Sequence, residues 1–255
     1  MARRKRISIS DLGEARALPL SPPHVTKLAG TWGTKGSYPW DDAWADIDTL
    51  ARQFLACNRD DDAAYASAWH HLLMAIGNFK RSAGHIAPLS KPLASVELAD
   101  RRARFTIPGL PSDQAEVACE DPATWSLLTK GLKGLGVPTA TTLLSALWPE
   151  RHAILDIRDA TAAVGIGADP FWDRDNLNDA KLPERDWLLY RGWFRDTIVR
   201  TATADTCEPV RVERALFGLD ERTKKRLTGR NWTWSDYRVD ALDVLAELDL
   251  DAGDE

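Results

Sequence analysis

Cysteine is scarce. Cys57, Cys119 and Cys207 are the only three in 255 residues, too dispersed for a disulfide framework and in keeping with a reducing compartment. Long apolar runs are missing as well. The basic start Met1-Ala2-Arg3-Arg4-Lys5-Arg6 leads into no uninterrupted hydrophobic segment, so neither secretion nor membrane insertion is expected and the chain reads as cytoplasmic. There is no P-loop and no Gly-x-Ser-x-Gly elbow. Gly165-Ile166-Gly167 lacks a preceding strand and a third glycine, so it reads as a loop and no nucleotide cofactor is expected. Alternating strand patterns are nearly absent, and no internal repeat or low-complexity block occurs. Excess charge is confined to one end. The net charge is −5, yet residues 243–255 hold six acids (Asp243, Glu247, Asp249, Asp251, Asp254, Glu255) and no lysine or arginine. Setting those aside leaves 32 acidic against 33 basic residues, a nearly neutral body that neither favours nor excludes a nucleic-acid partner.

What is present is helical periodicity. Trp44, Ile47, Leu50, Ala51, Phe54 and Leu55 repeat at helical spacing, as do Tyr65, Trp69, Leu72, Leu73 and Ile76. Residues 84–112 carry Gly84, Pro88, Pro92, Pro108, Gly109 and Pro111 and read as irregular connection around one short element. Further helices are expected over Trp187–Thr201, Val210–Leu219 and about 235–248, with a polar loop at 168–183. The expected fold is all-α. An N-terminal extension (1–40) precedes a helical domain (41–240), and an acidic tail (241–255) follows it.

The segment richest in information is Leu132-Lys133-Gly134-Leu135-Gly136-Val137-Pro138-Thr139-Ala140. Leu127, Leu128 and Leu132 precede the two glycines, and Leu143, Leu144 and Leu147 follow them at helical spacing. Two helices joined by a tight hairpin over about 121–148 fit this pattern, with Asp121 capping the first and Pro138 in the first turn of the second. Backbone amides at Lys133, Gly134, Leu135, Gly136, Val137 and Thr139 would then face outward at a helix N-terminus, where a phosphate is welcome. After the second helix comes Ile154-Leu155-Asp156.

Hairpin and aspartate together resemble the helix-hairpin-helix base-excision DNA glycosylase superfamily over about residues 120–165. The resemblance implies a two-lobed all-α protein that grips duplex DNA through the hairpin. Asp156 would then face a flipped, damaged or modified base and serve as the catalytic carboxylate. It implies no cofactor beyond a monovalent cation at the backbone carbonyls of Leu132 and Leu135. One departure is informative: lyase-competent members carry a lysine two residues after the second hairpin glycine, where this chain has Pro138. Schiff-base chemistry is therefore not expected. Lys130 and Lys133 read as phosphate contacts, and the iron–sulfur ligands of some relatives are absent. The implied activity is a monofunctional DNA glycosylase, a hydrolase of base excision and DNA repair. The alternative is a non-catalytic DNA-binding or protein-interaction module on the same scaffold. Asp156 also suits a plain helix cap, and both roles can coexist.

Other residues carry weaker signals. Arg158 reads as a phosphate contact or as a surface ion pair with Asp159. Eleven tryptophans are many for this length, and Trp32, Trp40, Trp172, Trp232 and Trp234 sit in polar surroundings where one could stack against an extruded base. The run Arg222-Lys224-Lys225-Arg226 with Arg230, Trp232 and Trp234 mixes cations and aromatics as nucleic-acid surfaces do, and a solvated helix end explains it equally. His70-His71 has no companion ligands in sequence and is not expected to bind metal.

Overall fold

The computed structural model describes residues 14–31, 40–58, 60–80, 137–150, 152–167 and 184–252. Among the described residues there are eight α-helices and no strand, and none of those helices is long and apolar enough to cross a membrane. They are α1 (Pro22–Thr31), α2 (Trp40–Ala56), α3 (Asp62–Phe79), α4 (Val137–Leu147), α5 (Ile157–Gly167), α6 (Glu184–Ala204), α7 (Pro209–Leu227) and α8 (Trp234–Ala252). The chain divides into two compact units, residues 36–154 and residues 1–35 joined with 155–255.

In the unit of residues 36–154, α2, α3 and α4 pack on one another. Asp61 starts α3 by accepting the amides of Ala63 and Ala64 at 3.1 and 3.0 Å, the service a short acidic side chain gives to an N-terminus. The periodic residues then turn inward. Phe54 lies 5.1 Å, centroid to centroid, from both Tyr65 and Trp69. Helix α4 is buried all along, from Thr139 to Leu147. Two of its short hydroxyl residues bond to their own helix, while the buried Ser145 hydroxyl has no partner among the described residues. Thr141 and Thr142 donate to the Pro138 carbonyl at 3.2 and 2.7 Å.

In the other unit α7 is central and packs against α1, α5, α6 and α8. Val212, Ala215, Leu216, Leu219, Thr223 and Leu227 are buried at steps of three and four, the stripe of a core-facing helix. The stripe does not end at Leu219, where the sequence reading stopped the helix. It runs two turns further, beneath the basic run 222–226. Lys224, Lys225 and Arg226 occupy the last turn, where cations complement the carbonyl end. Gly229, at φ +81°, takes the chain away.

Within the expected terminal segments, residues 22–31 and 241–252 are helical and pack in this unit. Residues 22–31 form α1, which packs on α7 and α8. Ser21 and His24 cap it reciprocally: the Ser21 amide donates to His24 Nδ1 at 3.1 Å, and the His24 amide to Ser21 Oγ at 3.4 Å. Nδ1 being an acceptor, the proton sits on Nε2, which reaches the Leu245 carbonyl at 3.1 Å and Asp249 at 2.7 Å. The acidic stretch is equally integrated. Ala241, Val244, Leu245 and Leu248 are buried, while Glu247 pairs outward with Arg226. These four residues face inward while Leu242 and Leu250 stay exposed beside the acids, and residues 241–252 are the C-terminal part of α8.

Helix α5 is built of small residues, with Ala160, Ala162, Ala163 and Val164 all buried. Gly165 lies inside it, not in a loop. A Cβ there would stand 2.8 Å from Cε1 of Tyr237, so glycine is what lets α8 approach.

Candidate nucleic-acid interface

Asp156 ends a buried run from His152 to Leu155 and is itself half-buried. Its Oδ1 accepts the Arg158 amide at 3.1 Å, and its carbonyl accepts the Ala160 amide at 2.9 Å. It is the N-cap of α5. The anionic side chain thus sits where unpaired amides and the helix dipole favour negative charge. The cap fixes the carboxylate through backbone geometry, so little rotamer freedom remains to it.

Two residues on, Arg158 takes a partner the sequence did not suggest. It does not pair with Asp159, which is buried. Its Nε donates to Oδ2 of Asp220 at 3.0 Å, and its guanidinium carbon lies 3.8 Å from the ring centre of Phe217. Lys224 Nζ reaches the same Oδ2 at 2.6 Å, and the Tyr237 hydroxyl donates to Oδ1 at 2.9 Å. Asp220 is fully buried, whereas the Arg158 and Lys224 side chains are each 33% exposed. A buried carboxylate needs a compensating partner, because an unpaired ion in the interior costs several kcal/mol, order of magnitude. The compensation also fixes two cations side by side at the surface.

Aromatic contacts continue the cluster. Trp232 lies 6.0 Å from Tyr237, with ring planes at 40°, so Trp232 is tied through Tyr237 to Asp220. Arg230 pairs more loosely with Asp240, at 3.5 Å. Of the basic and aromatic residues singled out in the 222–234 run, Lys224 and Trp232 therefore join Arg158. Asp220, Phe217 and Tyr237 escaped the sequence reading. A readable signal existed: Asp220 continues the inward stripe 216–219–223–227, and a carboxylate at such a position requires partners.

The remaining expected site residues fall elsewhere. Lys133, Gly134, Leu135 and Gly136, with the cation position at Leu132 and Leu135, lie outside the described residues. Val137 opens α4. Thr139 is buried as a residue, which does not present it to a phosphate. Arg158 and Asp156 share one unit, and residues 133–139 belong to the other.

Other chemistry finds little footing among the described residues. His70 and His71 make an edge contact at 5.6 Å, and no three His, Cys, Asp or Glu side chains group as for a metal. The Cys207 thiol is pushed up by burial and by the neighbouring Asp205 charge, partly offset by Arg211, the opposite of an activated nucleophile. An open groove of about 400 Å³ between α2 and α3 is lined by Asp46, Thr49, Asn78 and Phe79 among others. Comparison with family models, curated protein sequences and solved structures finds no match to this chain.

Proposed function

We propose that the chain binds duplex DNA and hydrolyses the N-glycosidic bond of a flipped damaged or modified base, as a monofunctional DNA glycosylase of helix-hairpin-helix type with two lobes. The observation that carries this reading is Asp156. It is a half-buried carboxylate fixed at a helix N-terminus, two residues from Arg158, which pairs with Lys224 at the surface through Asp220. The hairpin amides of residues 133–139 hold the DNA backbone in this reading, with a monovalent cation at the Leu132 and Leu135 carbonyls. The C1′–N bond breaks with its electron pair leaving on the base. Water forms the new bond to C1′ and its proton passes to the departing base, while the Asp156 carboxylate steadies the developing positive charge on the sugar. Pro138 in the lyase-lysine position leaves water as the nucleophile.

The test is base release from duplexes carrying a panel of lesions and modified bases, with Asp156→Asn alongside. Asparagine caps a helix as well as aspartate does, so the variant is expected to keep its fold and its DNA affinity and to lose base release. Turnover retained in Asp156→Asn removes the residue from the mechanism. The capping bond to Arg158 gives Asp156 a purely structural task too, which favours a second reading: a DNA-binding or protein-interaction module without catalysis. Salt-sensitive DNA binding with no base released from any duplex selects its DNA-binding form.

A further inference from the structure

We propose that Arg158 and Lys224, held together on the buried carboxylate of Asp220, form a single-phosphate site that takes one backbone phosphate of bound DNA beside the nucleotide facing Asp156. The proposal rests on the DNA reading above and adds to it a contact from the second unit, independent of the hairpin. Both nitrogens lie on one oxygen, at 3.0 and 2.6 Å, so they cannot be farther apart than those two lengths together. The terminal amino groups of Arg158 belong to the same guanidinium as Nε, so they and the Lys224 ammonium are neighbours near enough to meet one phosphate.

Charge compensation alone does not require this arrangement. One cation neutralises Asp220, and the Tyr237 hydroxyl already occupies Oδ1. The second cation leaves a net positive charge at the surface. Arg158 spends only Nε on Asp220, which leaves its two terminal amino groups to donate elsewhere. Phe217 lies against the flat guanidinium at 3.8 Å and holds its plane, so the fork is already aimed before a phosphate arrives. Asp156 is two residues before Arg158 and receives the Arg158 amide. A phosphate seated on the pair would therefore belong to the nucleotide being processed or to its neighbour.

The experiment measures affinity for a duplex as a function of salt, for wild type, Lys224→Met, Lys27→Met and Tyr237→Phe. Lys224→Met keeps the aliphatic stem and leaves Asp220 paired with Arg158 and Tyr237, so folding survives. It is expected to weaken binding about tenfold, the size of one charge-assisted hydrogen bond. The slope of log affinity against log salt should shrink by about 0.9, one phosphate contact. Lys27→Met removes the same charge from α1, at a residue that makes no hydrogen bond or ion pair to Asp220, and should leave the slope near wild type. Tyr237→Phe loosens the support under the site and should lower the melting temperature while leaving the slope unchanged. Equal effects of Lys224→Met and Lys27→Met would mean a diffuse field, and the single-phosphate site would be wrong. An unchanged slope in Lys224→Met, with salt-sensitive wild-type binding, overturns the site and leaves the DNA reading standing. Wild type that binds no duplex at any salt overturns both.

Discussion

Replacing Gly165 with alanine sets two well-calibrated effects against each other. Alanine is the better helix former by about 1 kcal/mol, and Gly165 lies within a regular helix, so propensity alone calls for stabilisation. Packing opposes it. The new methyl would stand 2.8 Å from Cε1 and 3.2 Å from Cδ1 of Tyr237. A flexible side chain could swing aside, but this ring cannot. Tyr237 is fully buried, its hydroxyl is bonded to Asp220 at 2.9 Å, and Trp232 lies against it. Forcing one methylene-sized group into such a contact costs about 1–3 kcal/mol, and the rigidity of the ring points to the upper half. The net expectation is a loss of about 1–2 kcal/mol once the helix gain is subtracted. For a chain of this size that lowers the melting temperature by about 2–8 °C. Urea unfolding followed by circular dichroism reads the same difference, and Gly165→Ala in a Tyr237→Phe background should cost less because the ring is released from Asp220. A Gly165→Ala protein as stable as wild type, or more so, would refute the tight α5–α8 contact and with it the support assigned to Asp220.

Removing the Asp220 carboxylate as Asp220→Ala strands two cations and the Tyr237 hydroxyl. Because both cations are a third exposed and can rehydrate, the loss should fall toward the lower end of the roughly 3–5 kcal/mol typical of a broken buried pair. Asp220→Asn, which keeps an acceptor, should lose less in the same denaturant titration. A pH effect is expected at the start of α8, where the Thr233 hydroxyl and amide donate to Asp236 Oδ2 at 2.7 and 2.6 Å. Those bonds hold the Asp236 carboxyl below its ordinary 3.8. A depressed acid stabilises the fold fully above its unfolded value and stops doing so as pH falls through the lower folded value. Amide exchange over the first turn of α8 should accordingly accelerate in acid below about pH 4, and Thr233→Ala should erase that pH step. An unchanged exchange profile would deny the capping box its role.

The class of fold was legible because helical periodicity is a local property of sequence. The stripes at 44–55 and 65–76 needed no partner to be recognised, and they became α2 and α3. Asp156 followed by a helix was legible for the same reason: caps act within three residues. What failed was everything set by distant contacts. The basic run 222–226 suited a nucleic-acid surface and a solvated helix end equally; it ends α7, and nothing local says that Thr223 and Leu227 between those cations are covered. The acidic stretch suited a helix end and a solvated extension alike, and the packing of α8 on α1 and α7 makes residues 241–252 the former. Arg158 looked like a partner for adjacent Asp159, yet its carboxylate is 62 residues away, brought near by the packing of α5 on α7. Sequence by itself determined that strongly periodic stretches such as 44–55 and 65–76 are helical, but not α1, the last two turns of α7 or the end of α5. Only the tertiary structure decided which charges meet, because a buried carboxylate draws its counterions from whatever the packing places beside it.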